Sequence, residues 1–146
     1  MHDALPPPDP GDRPPPSTRR HDYQAFRTLA RPVYLRYAEA RLGREAVAVA
    51  EEALTSIAVR WTALLSSPNT FASAWQVLRH TVTGEAARRQ CTDSPLYQLL
   101  PPAHADAVLL SRDLRMTPSK IAQITGTSPS AVRALIAHAE RSRLPY

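Results

Sequence analysis

The sequence predicts an all-α protein, and three observations carry that reading. Apolar residues recur at three-and-four spacing through most of the chain, no stretch sustains period-two alternation, and caps and turn residues fall between the periodic segments. The expected architecture is an N-terminal three-helix domain (21–90), a linker (91–99) and a C-terminal helix-turn-helix domain (100–146), preceded by a Pro-rich tail (1–20).

The tail rests on Pro6-Pro7-Pro8, Pro10 and Pro14-Pro15-Pro16, which disfavour helix and sheet alike and predict an extended or disordered segment. The first helix is expected between an N-cap at Asp22 and a stop at Gly43, with Phe26, Leu29, Ala30, Val33 and Tyr37 as its apolar stripe and a kink at Pro32. The second is expected from about Arg44 to Leu65, striped by Ala46, Val49, Ala50, Ala53, Leu54, Ile57, Trp61 and Leu64. Ser66-Ser67-Pro68-Asn69 reads as a turn. The third is expected from about Thr70 to Arg89, with Phe71, Ala74, Trp75, Leu78 and Val82 inward, and Gln76, Arg79, His80, Thr83 and Arg88-Arg89 on other faces. Trp61 and Trp75 lie on apolar stripes and read as core.

The pattern breaks over Cys91-Thr92-Asp93-Ser94-Pro95 and a second unit begins near Leu96. Pro101-Pro102 can open a helix running to about Leu114, with Val108, Leu110 and Leu114 buried. Residues 117–143, TPSKIAQITGTSPSAVRALIAHAERSR, carry the most specific signal. Thr117 caps a helix opened by Pro118; that helix ends at Thr125, where Gly126 supplies a left-handed turn; Ser128 caps a second helix opened by Pro129. Ala122, Gly126 and Val132 stand at helix-turn-helix spacing: a small residue where the helices cross, a glycine at the sharp turn, and an apolar residue packing inward.

Composition narrows the function. Lys+Arg number 18 against 13 Asp+Glu, a net of +5, and the residues up to Asp22 carry −1 of it, so the positive charge belongs to the folded part. One cysteine, Cys91, excludes an internal disulfide and a Cys-x-x-Cys zinc site. The five histidines show no metal spacing. No run reaches the roughly 18 apolar residues of a membrane span, and the N-terminus lacks signal-peptide character, which predicts a cytoplasmic protein with no membrane partner. Neither a Gly-rich phosphate loop nor a nucleophile elbow is present, so no enzymatic activity, cofactor or metal is expected.

The order of these elements resembles the extracytoplasmic-function sigma factors of bacteria. LARPVYLRYAEARLG (29–43) is similar to the first helix of their N-terminal domain, EALTSIAVRW (52–61) to the helix after the family's acidic motif, and AWQVLRHTVTGEAARR (74–89) to the helix that reads the −10 promoter element. Residues 100–144 resemble the C-terminal domain that reads the −35 element. The resemblance implies transcription initiation or its regulation, with promoter or operator DNA, core RNA polymerase and an anti-sigma or other regulatory protein as partners. It implies DNA contacts from Ser128, Ser130, Arg133, Ala134, His138 and Arg141 of the recognition helix and from Arg79, His80, Arg88 and Arg89, and polymerase or partner contacts from Glu45, Glu51 and Glu52.

The chain departs from the family in three places. The acidic Asp-Ala-Glu-Asp motif falls on Glu45-Ala46-Val47-Ala48, which removes the charges of a charge-complementary contact. Leu135 and Ala137 thin the basic face of the recognition helix. The ten residues between Arg89 and Leu100 span at most about 35 Å, whereas promoter elements about 17 base pairs apart lie roughly 58 Å apart along B-DNA. These departures keep an alternative open: a degenerate sigma-like protein that acts through protein–protein contact with a transcription regulator and binds DNA weakly or not at all.

Overall fold

A computed structural model describes residues 16–43, 45–89 and 95–142, with side chains from His21 onward. Its helices are α1 (Pro16–Leu42), α2 (Ala46–Val59), α3 (Trp61–Leu65), α4 (Thr70–Arg89), α5 (Leu96–Leu99), α6 (Pro102–Arg112), α7 (Pro118–Thr125) and α8 (Pro129–Arg141). No strand occurs among the described residues. Of the expected tail, residues 1–15 lie outside the described residues, as do Cys91 and the rest of 90–94.

Four boundaries differ from expectation. The first helix begins at Pro16, and Asp22 sits inside it instead of capping it. No apolar residue lies between Pro16 and Asp22, so periodicity gave no sign of the first turns, while a proline is tolerated at a helix start. The same helix continues through Pro32. The expected second helix divides at Arg60 (φ −95°, ψ 10°) into α2 and α3. The helix after Pro101 ends at Arg112 because Arg115 takes a left-handed backbone (φ 56°), and the Met116 amide turns back to the Leu110 carbonyl (3.1 Å). Within the expected linker, Leu96–Leu99 is helical and Leu96 is buried.

Core packing follows the stripes. All eight residues expected on the second stripe, Ala46 through Leu64, are buried, although the helix breaks beneath them. Leu29 departs, being 38% exposed, and Phe71 is only partly buried. A chain of ring contacts crosses the N-terminal unit: Trp61 to Phe26 (5.2 Å), Phe26 to Tyr34 (6.1 Å), Tyr34 to Trp75 (5.7 Å) and Trp75 to Tyr37 (4.7 Å). Each such buried ring contributes roughly 1.5–3 kcal/mol through the water it sheds.

The two units share one core. α4 and α1 both pack on α7, α1 also packs on α6, and the apolar cluster runs without a gap from Phe26 to Ala139. At the seam lies a buried polar hub centred on Asp106 of α6, which is 2% exposed. One carboxylate oxygen accepts from the Tyr37 hydroxyl (2.8 Å) and from the Tyr97 hydroxyl. The other accepts from Trp75 Nε1 (2.9 Å) and Arg79 Nε (2.8 Å). Arg41, also buried, donates to the Tyr37 hydroxyl (3.0 Å) and Thr83 Oγ1 (3.0 Å), and its guanidinium lies 3.8 Å from the centre of the Tyr97 ring. Every partner of Asp106 comes from α1, α4 or α5, so this carboxylate fastens α6 to the rest of the molecule.

Candidate nucleic-acid interface

The helix-turn-helix forms as its sequence requires. Thr117 Oγ1 accepts from the Lys120 amide (3.2 Å) and Ser128 Oγ from the Ala131 amide (3.1 Å), so each helix has its side-chain N-cap, and a proline occupies each first position. Gly126 has φ 74° and its amide closes α7 on the Ala122 carbonyl (2.9 Å). Val132 and Ile121 are both 1% exposed beneath the crossing, and Ala122 is 4% exposed. Among the described residues α8 packs on α6 and α7 alone of the helices, which leaves its other side open among them.

That open side holds most of the recognition-helix residues expected to touch DNA. Ser128, Ser130, Arg133, Ala134, His138 and Arg141 are all exposed. Arg133 and Arg141 have no ion-pair partner among the described residues. Ser128 Oγ is committed to its cap and lies 3.2 Å from Ser130 Oγ. The His138 ring rests edge-on against His104 of α6, centroids 4.9 Å apart. From Arg112 to Arg141 five Lys/Arg stand against two carboxylates, so the local field favours an anion.

The remaining expected contacts are largely engaged within the molecule. Arg79 forms the ion pair with Asp106 and its side chain is 18% exposed. Arg88 and Arg89 both pair with Glu85, and the Arg89 guanidinium also reaches the Glu45 carbonyl (3.4 Å). These arginines hold the Glu85 carboxyl below its usual range. Glu51 pairs with Arg31 (2.6 Å) and Arg27 (3.3 Å) of α1, and the Arg31 bond above all holds its carboxyl low. Glu45, Glu52 and His80 stay exposed. His80 borders an open cleft of about 540 Å3 between α2–α3 and α4 that also takes in Ser56, Arg60, Ser73 and Gln76.

Asp106 and Arg41 are the two buried charged residues among the described residues, and no motif in the sequence marks them. Asp106 precedes Leu110 by four and Leu114 by eight, which sets it on the apolar stripe of α6; a carboxylate there requires several donors. The sequence marks Asn69 only as part of a turn. Its Oδ1 accepts from the Ala72 amide (3.0 Å), capping α4, and its Nδ2 donates to the Gly126 carbonyl (2.7 Å) at the helix-turn-helix corner.

Comparison with family models, curated proteins and solved structures finds no match to this chain. Among the described residues no helix is long and apolar enough to cross a membrane.

Proposed function

We propose that this chain is a DNA-binding transcription protein of sigma-factor type, contacting DNA through α8. The observation that carries the reading is the capped helix-turn-helix whose second helix is packed on one side only and presents Arg133, Ser130 and Arg141 outward. A recognition helix enters the major groove by its N-terminal part, and Arg133 stands there, flanked by the inward Val132. Arginine pairs bidentately with guanine, so Arg133 is the base-reading side chain, and the N-terminus of α8 with Ser130 faces phosphate. Binding of a labelled duplex measured across a salt series tests this reading. A steep loss of affinity with salt, and a preference for one sequence over random DNA, is the expected result. Absence of binding at low salt overturns it.

One observation favours the alternative of action through a protein partner. Within the stretch where the sigma-factor resemblance expects its acidic motif, α2 exposes Val47 (52%), and Glu51 one turn on is paired with Arg27 and Arg31 of α1. An exposed valine in place of a carboxylate suits an apolar protein contact. Retention of core RNA polymerase by the immobilised chain separates the sigma-type role from contact with another regulator.

A further inference from the structure

We propose that Asn69 and Asp106 are positioning residues that lock the helix-turn-helix to the N-terminal unit, so that the protein reads one uninterrupted DNA element as a single rigid body. The inference rests on the DNA-binding reading above and departs from what the sigma-factor resemblance implies, which is two elements read by two separately placed domains.

Two clamps carry it. The first is at the corner of the helix-turn-helix. Asn69 caps α4 with one amide atom and holds the Gly126 carbonyl with the other, so the start of α4 and the α7–α8 turn share one side chain. The approach is close enough that a Cβ on Gly126 would lie 2.4 Å from the Ala72 backbone nitrogen. The second clamp is the Asp106 hub, where one carboxylate accepts four hydrogen bonds from α1, α4 and α5. Swinging the C-terminal unit away would strip a buried carboxylate of the Tyr37, Trp75 and Arg79 donors and break the Arg79 ion pair, a penalty of the kind that makes broken buried pairs strongly destabilising. A third tie, Arg36 to the Leu114 carbonyl (3.0 Å), crosses the same seam.

The clamps also engage two side chains of α4. On α4, the helix that the resemblance assigns to the −10 element, Arg79 is spent on Asp106, and Trp75 is buried with its Nε1 on the same carboxylate. A rigid body with one free recognition helix covers a site of about one helical turn and gains nothing from a second element placed farther along the duplex.

The test measures distance and site size on the full chain. With Cys91→Ser as background, spin labels at Thr55 of α2 and Gln123 of α7, both exposed, report the separation of the units. One narrow distance, unchanged when DNA is added, is expected. Asn69→Asp keeps the acceptor that caps α4 and loses the donor to Gly126; it should remain folded while the distance distribution broadens. Asp106→Asn should broaden it further, since an amide nitrogen accepts no hydrogen bond, so either Trp75 and Arg79 or the two tyrosine hydroxyls lose their acceptor. A duplex with one preferred element should bind within twofold of a duplex with two elements about 17 base pairs apart. A broad wild-type distribution, a distance that shifts on binding DNA, or a tenfold gain from the second element overturns the inference while leaving DNA binding intact. Lack of any preferred sequence overturns the single-element claim together with the DNA reading, and the distance in free protein still decides whether the clamps hold.

Discussion

Gly126 shows how one residue serves local and long-range geometry together. Its positive φ ends α7, and its missing side chain admits the α4 backbone. Gly43 has a positive φ as well (88°) but nothing within 4 Å of where a Cβ would stand. Gly43→Ala should therefore cost only the left-handed conformation, about 1–2 kcal/mol. Gly126→Ala should cost clearly more, because the clash with Ala72 adds to the same penalty. Chemical denaturation of the two variants checks the order; equal losses would show that the seam yields. The glycine was legible in the sequence as a turn residue, since Thr125-Gly126-Thr127-Ser128 separates two periodic segments. Its contact with α4 was not, because the partner lies more than fifty residues away in the chain.

Among the elements, the pairing of α1 with α2 carries a pH signature. Arg31 and Arg27 hold the Glu51 carboxyl below its ordinary value of 4.5. A carboxylate with a depressed folded-state pKa adds stability above its unfolded pKa and loses it as pH falls through the folded value. Glu51→Gln should lower the melting temperature modestly at pH 7 and make no difference at a pH low enough to protonate Glu51 in the folded protein. The pair is partly exposed, so the loss at pH 7 should stay within the range of surface ion pairs, up to about 1 kcal/mol. A deficit that persists unchanged in acid would contradict this account. The helices themselves were readable from period alone: the stripe from Ala46 to Leu64 is buried residue for residue. Their ends were less so. The break at Arg60 leaves the Ile57, Trp61, Leu64 spacing intact, and the Arg60 amide still reaches the Ser56 carbonyl (3.1 Å), so a continuous apolar stripe concealed the break. The early start of α1 was hidden for a different reason, since no apolar residue between Pro16 and Asp22 gives periodicity anything to detect.

At the scale of the whole molecule, the fold stands on a seam that mixes apolar packing with buried phenols. Burial raises the titration of Tyr34, Tyr37 and Tyr97 above the ordinary tyrosine value of 10.0, and Asp106 adds to the effect at Tyr37 and Tyr97. A group whose folded pKa is raised contributes stability below its unfolded pKa and loses it as pH rises toward the folded value. Stability should therefore fall from about pH 10 upward, with phenolate absorbance appearing together with loss of helix. Smooth titration of all the tyrosines ahead of unfolding would show that the hub is open to solvent. The all-helical character and the outward face of α8 were visible in the sequence. That the N-terminal and C-terminal helices pack together follows from the short stretch between Arg89 and Leu100 and the small size of each unit; the residues that fasten them, Asp106, Arg41, Tyr97 and Asn69, were not legible, because hydrophobic periodicity passes over polar side chains. The same fusion decides which expected cations remain free: Arg133 and Arg141 do, and Arg79 does not.

Arg133 is therefore where the account meets its most direct measurement. The ratio of affinities for a selected duplex and a random one, for wild type and Arg133→Ala at one salt concentration, isolates sequence reading from phosphate contact. A bidentate arginine–guanine pair discriminates by about 1–3 kcal/mol, so the variant should lose about tenfold or more in that ratio while its melting temperature stays close to wild type. An unchanged ratio in a folded Arg133→Ala protein, or a wild type that binds both duplexes equally, would contradict the reading of DNA by α8.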